Sequence, residues 1–418
     1  MAKDRFADNP FPDVRVSELD KHELIKLVDV YVDDYLKKYE EFVETGKRKV
    51  DKRRWEHIKS KDNIHVYTER TRKELKRNGI EPENSLSATQ RLNGASAAAK
   101  DLPVILSVGS LVGELDDLMF GVVNPTLAEM RIKASYVHDL DSAAVLSSVV
   151  SPSKAEPYRS LVIKWMSIDL PFQSTSFVKS RDIVYIEATG TIFLRNGDRV
   201  GYHLLHSIDF PQTTPLPGKV RASLSLFSCY RQIDRNVIDT FACATVDPGG
   251  DIMRKLSISV AASAMVCVTN YVYCGQMKKL AWMLQQQHSS CEASAKRSQT
   301  RKQCVVCSKN ISNVIGSIGK SSCKMCYGSV CYSCKIRQSI SFIVVGGRLI
   351  QRKVVVCAKC MGEATHWNAE EVARDQVTIY EACKSDASTS YEACTVSCEM
   401  SFLESSTSVV EEEGWMDI

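Results

Sequence analysis

Eight of the sixteen cysteines in this 418-residue chain stand in four pairs: Cys304/Cys307, Cys323/Cys326, Cys331/Cys334 and Cys357/Cys360. Two residues separate the partners of each pair. That spacer lets both thiolates reach one ion from a tight turn, and four thiolates complete the tetrahedron that zinc takes in structural sites. The intervals along the run are 2, 15, 2, 4, 2, 22 and 2 residues. Eight free thiols in an ordinary core are a poor alternative to this regularity. The spacing predicts a small domain over 303–364 built on two zinc ions. With every coordination position filled by sulfur, such ions fold a domain and do not catalyse.

The chain as a whole has an ordinary globular composition, with 44% apolar and 25% charged residues. Its length allows two or three domains. Met-Ala-Lys-Asp-Arg at the N-terminus is followed by no apolar signal-peptide run. The cysteines are therefore expected as thiols or metal ligands in a reducing compartment, which points to the cytoplasm. The most apolar late stretch, Ile252–Trp282, is broken by Arg254, Lys255, Asn270, Gln276, Lys278 and Lys279, and reads as a packed helix rather than a spanning one. From His366 to Ile418 there are twelve acidic and two basic residues, so the net charge of +4 hides a basic body and an acidic tail. A basic body with an acidic tail suits an anionic partner such as a phosphate-bearing lipid surface or nucleic acid, although a simply solvated surface accounts for it slightly better.

Periodicity divides the remainder. Residues 1–51 form an N-terminal helical segment. Ser17 is placed to cap a helix to about Val43, in which Leu24, Leu27, Val28, Tyr31, Tyr35, Tyr39 and Phe42 recur at helical spacing. The basic run Lys47–Arg54 reads as a solvated linker. Within 52–288, strands are expected at Ile64–Glu69 and Val104–Val108, then a short helix at Glu114–Val123. Alternating segments follow at Ala144–Val150, Leu161–Ile168, Ile183–Phe193, Val200–Phe210, Val220–Tyr230 and Val237–Val246. Turn residues separate them, Asn196-Gly197 being a strong hairpin signal. Glu81–Ala99, rich in Ser, Ala and Asn, reads as a mobile insertion. After Asp247-Pro248-Gly249-Gly250, one long helix is expected from Asp251 to about Gln287. An antiparallel sheet that is apolar on one face must cover it, and this helix is the obvious cover. Residues 289–302 read as a linker, and 365–418 as a disordered tail.

The order of elements over 52–288 resembles the START (StAR-related lipid-transfer) domain. The resemblance rests on Val66-Tyr67-Thr68-Glu69-Arg70 after Trp55, on Ser180-Arg181-Asp182-Ile183-Val184 opening a strand, and on Asp247-Pro248-Gly249-Gly250 before the helix. It implies an α+β helix-grip fold, in which a curved antiparallel sheet holds a long C-terminal helix over an apolar tunnel. The four-residue gap between Cys326 and Cys331, the all-cysteine ligand set, Tyr327-Gly328 and Val330 resemble the FYVE-type finger, which follows START-like domains in a recognised arrangement. That family's cross-brace wiring implies that pairs one and three share one zinc, and pairs two and four the other. The family's lipid-reading residues are largely replaced. Gly319, Lys320, Ser321, Ser322, Cys323 and Lys324 stand where a basic His-His motif is found, no Trp-x-x-Asp precedes Cys304, and Val355 stands where an Arg is found.

The leading expectation is a non-enzymatic lipid-binding or lipid-transfer protein with an apolar lipid as ligand. Its cavity residues are taken from aligned faces: Trp165, with Leu161 and Ile163, on one strand; Leu224 and Leu226, with Val220 and Ala222, on another; and Ala262 on the helix. Lys320, Lys324, Arg352 and Lys353 are the candidates for anionic membrane contact, at endosomal or other internal membranes. His203 and His206 read as ordinary sheet residues. No nucleic-acid partner is expected. No Gly-x-Ser-x-Gly, Walker A or His-Glu-x-x-His motif suggests an enzyme. The competing readings are a protein-interaction scaffold and, less well matched by the ligand set and gaps, a RING-like ubiquitin ligase.

Overall fold

The structure, a computed structural model, describes residues 6, 9–12, 14–81, 102–137, 142–168, 179–250, 252–291, 303–311, 321–344 and 347–385. It divides into two compact units, Met1–Cys274 and Gly275–Ile418.

The first unit begins with α1 (Glu18–Glu44). Ser17 and Asp20 form a reciprocal capping box, each side chain accepting from the other's backbone N–H, which satisfies two donors the first helical turn leaves unpaired. Next come β1 (Trp55–Lys61), β2 (Ile64–Glu69), α2 (Arg72–Arg77), β3 (Val104–Val112), α3 (Leu115–Val122) and α4 (Leu127–Val137). The long strands follow: β4 (Ser142–Val150), β5 (Ser160–Ile168), β6 (Arg181–Phe193), β7 (Arg199–Ser207), β8 (Val220–Arg221), β9 (Ser223–Asp234) and β10 (Val237–Asp247). The unit closes with α5 (Arg254–Met265), a 3₁₀ segment (Val266–Asn270) and the start of α6 (Tyr271–Cys291).

All ten strands form one sheet in the order β1-β2-β3-β10-β9-β7-β6-β5-β4, with β8 on β6. Every neighbouring pair is antiparallel except β6–β8. The α+β class, the antiparallel sheet and the C-terminal helix are as the sequence led us to expect, and the Asn196-Gly197 turn joins β6 to β7 with Gly197 at φ 86°. The helix is less regular than expected, because the 3₁₀ segment interrupts it. Arg254–Gln286 is long and apolar enough to cross a membrane by length and composition, despite its interrupting charges. A packed core helix meets the same criterion, and Ala262, Met265, Val266 and Val268 are buried.

Both faces of the sheet are covered. α5 packs across β1, β2, β3 and β10 on one face. On the other, α1 lays Leu24, Val28, Tyr31, Tyr35 and Tyr39 against Leu161, Ile163, Ile186, Leu204, Phe227 and Phe241. The three tyrosines, four residues apart, also reach polar partners on the strands. Tyr31 Oη lies 3.1 Å from His206 Nε2, Tyr35 Oη 3.5 Å from Ser225 Oγ, and Tyr39 donates to Asp239 Oδ2 at 2.6 Å. Asp239 is also ion-paired with Arg48, so a charge from the expected linker run has a structural partner. Most of Glu81–Ala99 lies outside the described residues.

The second unit carries two short strands, β11 (Ser321–Ser322) and β12 (Ser329–Val330), the hairpin β13 (Lys335–Val344) and β14 (Arg348–Cys357), then α7 (Ala358–His366) and α8 (Ala369–Ser385). α8 corrects the expectation of a disordered tail from 365 onward. Ala369, Val372, Ala373 and Val377 lie on one helical face and are buried, so an acidic segment folds because its few apolar residues share a stripe. Lys279, on the part of α6 that belongs to this unit, donates to the carbonyls of Thr365 and Trp367 at 3.2 and 2.8 Å. It thereby satisfies acceptors at the end of α7.

Candidate functional site

In the second unit, the two cysteine quartets are built by repeating one turn. After Cys304-Val305-Val306-Cys307 and after Cys323-Lys324-Met325-Cys326, the next residue, Ser308 or Tyr327, takes φ 57°. Its N–H returns to the carbonyl of the first cysteine at 2.9 and 2.8 Å. Gly328 lets the first turn close in, since a Cβ there would stand 2.2 Å from Val305 Cγ1. The sulfurs gather as Cys304, Cys307, Cys331 and Cys334, and as Cys323, Cys326, Cys357 and Cys360, each set mutually within 4.8 Å. Pairs one and three therefore meet, as do pairs two and four. Sγ–Sγ separations of 3.7 Å for Cys307–Cys331 and 3.9 Å for Cys326–Cys357 match the edge of a tetrahedron with 2.3 Å arms, about 3.8 Å. Backbone amides of Cys357 and Cys360 donate to Cys323 Sγ and Cys357 Sγ at 3.3 and 3.4 Å, the contacts a metal-bound thiolate accepts. Each quartet could hold one metal ion.

In the first unit, a cavity of about 190 Å³ lies between the sheet and α5. Alternation along each strand decides its walls. β6 contributes Arg181, Ile183, Tyr185 and Glu187, β7 contributes His203 and Leu205, and β9 and its approach contribute Ala222, Leu224 and Leu226. Met166 and Ile168 enter from β5, Met130 and Lys133 from α4, and Val260, Ala261 and Ala264 from α5. Leu224 and Leu226 thus stand where the sequence reading placed them.

Trp165 and Ala262 do not. Trp165 points to the opposite face, where its ring meets Phe11 edge-on at 6.3 Å and its Nε1–H donates to Asp182 Oδ2 at 3.3 Å. Leu161, Ile163 and Trp165 do share a face, but Leu161 and Ile163 pack with α1 on the side away from the cavity. Ala262 is fully buried but absent from the cavity wall, which its neighbours Ala261 and Ala264 form.

A buried charge network that the sequence reading missed adjoins the cavity. Lys164 Nζ donates to Asn124 O at 2.7 Å, to Asn124 Oδ1 at 2.6 Å and to Glu187 Oε2. Three acceptors around one nitrogen require all three ammonium protons. Glu187 also accepts from His203 Nε2 at 2.6 Å and Asn124 Nδ2 at 3.3 Å, and Lys133 Nζ stands 3.6 Å away. Burial pushes the Glu187 carboxyl up, but Lys164, Lys133 and the His203 bond outweigh it and hold it well below the usual range. Burial pushes the Lys164 ammonium down against the pull of Glu187, and it pushes His203 down also, against its bond to Glu187. The signal in the sequence was a lone charge inside each of two apolar strands, since a charge at such a position is buried only with a partner.

Among the candidates for membrane contact, Arg352 and Lys353 are exposed on β14 and Lys324 is half-buried. The Lys324 amide donates to the carbonyl of Val355, which sets it beside that strand. Lys320 lies outside the described residues.

Similar solved structures include human StAR-related lipid transfer protein 5, at 10% identity and TM-score 0.40, covering 61% of this chain and 98% of that one. Others are human STARD10, at 12% identity and TM-score 0.35 over 64% and 83%, and a STAR-related lipid transfer protein from Xanthomonas axonopodis, at 15% and 0.35 over 53% and 99%. Likenesses at this level carry no argument, and the fold described above rests on strand order and register. No protein-family profile matches the sequence, and a search of curated proteins finds no match.

Proposed function

We propose that the protein is a non-enzymatic lipid carrier with a two-zinc, FYVE-like finger. The observation that carries the reading is the cavity between the sheet and α5. Leu224, Leu226, Leu205, Ile183 and Met166 line it together with the charged Glu187 and Lys133 and with His203. Apolar volume left unfilled costs stability, and an amphiphile with an apolar body and a polar group suits such a mixed lining. The START resemblance of the sequence points the same way. In the finger, each sulfur quartet takes a zinc ion, for which all-thiolate tetrahedral coordination is the preferred structural site. Lys324, Arg352 and Lys353 supply weak attraction to anionic membranes, at endosomal or other internal membranes in the cytoplasm. The test is transfer of fluorescent lipids between two vesicle populations. The carrier reading predicts transfer in proportion to protein concentration, and an absence of transfer and of extraction across sterols, ceramides, fatty acids and phospholipids refutes it.

A further inference from the structure

The cavity wall holds a buried hydroxyl without a partner. Ser257 lines the cavity on the face of α5 that also carries Val260, Ala261 and Ala264, the spacing of residues that share one side of a helix. It is 5% exposed, and among the described residues no group hydrogen-bonds to its Oγ.

A serine within a helix often returns its hydroxyl to the carbonyl four residues back. Ser263, exposed on the same helix, does so, donating to Ser259 O at 2.9 Å. At Ser257 that carbonyl is Met253 O, which already accepts from the N–H groups of Leu256 and Ser257 at 2.9 and 3.3 Å. A buried hydroxyl left without a bond costs stability, and it keeps both a donor and acceptor capacity for whatever enters the cavity. The charged groups of the wall are engaged otherwise. Lys133 is ion-paired with Glu187, and Arg181 donates to the carbonyls of Lys179, Pro248 and Gly249.

Resting on the carrier reading, we infer that Ser257 reads the polar group of the lipid, and that this group is an uncharged hydroxyl hydrogen-bonded to Ser257 Oγ. A hydroxyl both donates and accepts, as Ser257 does, so either orientation completes the bond. A carboxylate is a poorer match, because one neutral hydroxyl does not repay the burial of a full charge. An apolar end group leaves Oγ as it stands in the empty wall. Two ligands of equal length that differ only at the end group should therefore be separated by Ser257.

The experiment is competitive displacement of a fluorescent lipid from the delipidated full-length protein at neutral pH, using hexadecan-1-ol, 1-chlorohexadecane and hexadecanoate, in the native chain and in Ser257→Ala. Chlorine occupies the place of the hydroxyl but donates no hydrogen bond. We expect the ratio of alcohol to chloride affinity to fall about tenfold in Ser257→Ala, the penalty of leaving the ligand hydroxyl buried and unpaired, while chloride affinity hardly changes. Hexadecanoate should bind more weakly than the alcohol. Without ligand, Ser257→Ala should melt no lower than the native protein, because it removes an unpaired polar atom. An unchanged ratio in folded Ser257→Ala overturns the inference and leaves the carrier reading intact, and so does tighter binding of hexadecanoate. A ligand-free Ser257→Ala that melts markedly lower, or does not fold, also overturns it, since the hydroxyl then has a partner within the protein. If none of the three, nor any other lipid, displaces the probe, the carrier reading itself fails.

Discussion

Replacing Glu187 with Gln removes a carboxylate that contacts Lys164, Lys133 and His203 together. Glu187 is 4% exposed and Lys164 1%, so water cannot replace the lost carboxylate beside the Lys164 ammonium. Removing one partner of a buried pair costs about 3–5 kcal/mol, because the other charge stays buried and unpaired. For a domain of this size each kcal/mol lowers Tm by about 2–4 °C, which puts the loss near 10 °C. The charge, not the shape, should be responsible, since Gln is nearly isosteric. The double variant Lys164→Met/Glu187→Leu removes both charges and should recover most of the loss, as buried pairs replaced by apolar residues are often neutral in stability. The assay is urea unfolding of the full chain followed by the fluorescence of Trp165, which is buried in the same unit. A cost under about 1 kcal/mol for Glu187→Gln, or a double variant no better than the single one, refutes the account of the network.

The other predictions concern the finger, the helix faces and pH. Metal analysis should give two zinc ions per chain, and Cys331→Ser should unfold the finger, since binding at a structural zinc is worth about 10 kcal/mol or more of folding energy. Ala264→Trp should block lipid uptake, because Ala264 lines the cavity, whereas Ala262→Trp should chiefly destabilise, because Ala262 is fully buried away from the wall; differential scanning calorimetry with a lipid-binding assay separates the two effects. Burial lowers His206 to about 4, while the unfolded chain takes that proton near 6.5. The unfolded state thus binds the proton first, and stability should fall by about 3 kcal/mol as pH drops from 6.5 to 4; His206→Asn should remove this part of the slope in pH-dependent unfolding. Replacing Lys324, Arg352 and Lys353 together by Ala should weaken binding to anionic liposomes at low salt and change little at high salt.

What was legible in the sequence follows from how many ways each pattern can be satisfied. The cysteine intervals admit few geometries, so their spacing led directly to four-sulfur clusters. On β9 the alternation of Leu224 and Leu226 with Ser223 and Ser225 marked one face as apolar, and that face lines the cavity. On β5 both faces are buried from Ser160 to Ser167, so alternation aligned Leu161, Ile163 and Trp165 without saying which side they faced. The missing information was long-range: α1 covers that face with tyrosines more than a hundred residues away. The phase of α5 was similarly open, because a stretch rich in Ala and Ser has no dominant apolar stripe until it docks. The acidic composition after His366 concealed the Ala369–Val372–Ala373–Val377 stripe of α8. Lys164 and Glu187 were visible as charges within apolar strands, but their pairing depends on the β5–β6 register.

The central claim is that the space under α5 holds a lipid. The most direct measurement is native mass spectrometry of the full chain purified without detergent, followed by mass analysis of anything released on denaturation. The account predicts a folded species carrying two zinc ions and one bound amphiphile of lipid mass, lost together with its charge-state series when the chain unfolds. A folded, zinc-loaded protein that carries no lipid, and takes none up from mixed vesicles, would contradict it and leave the interior as a packed core of an interaction scaffold.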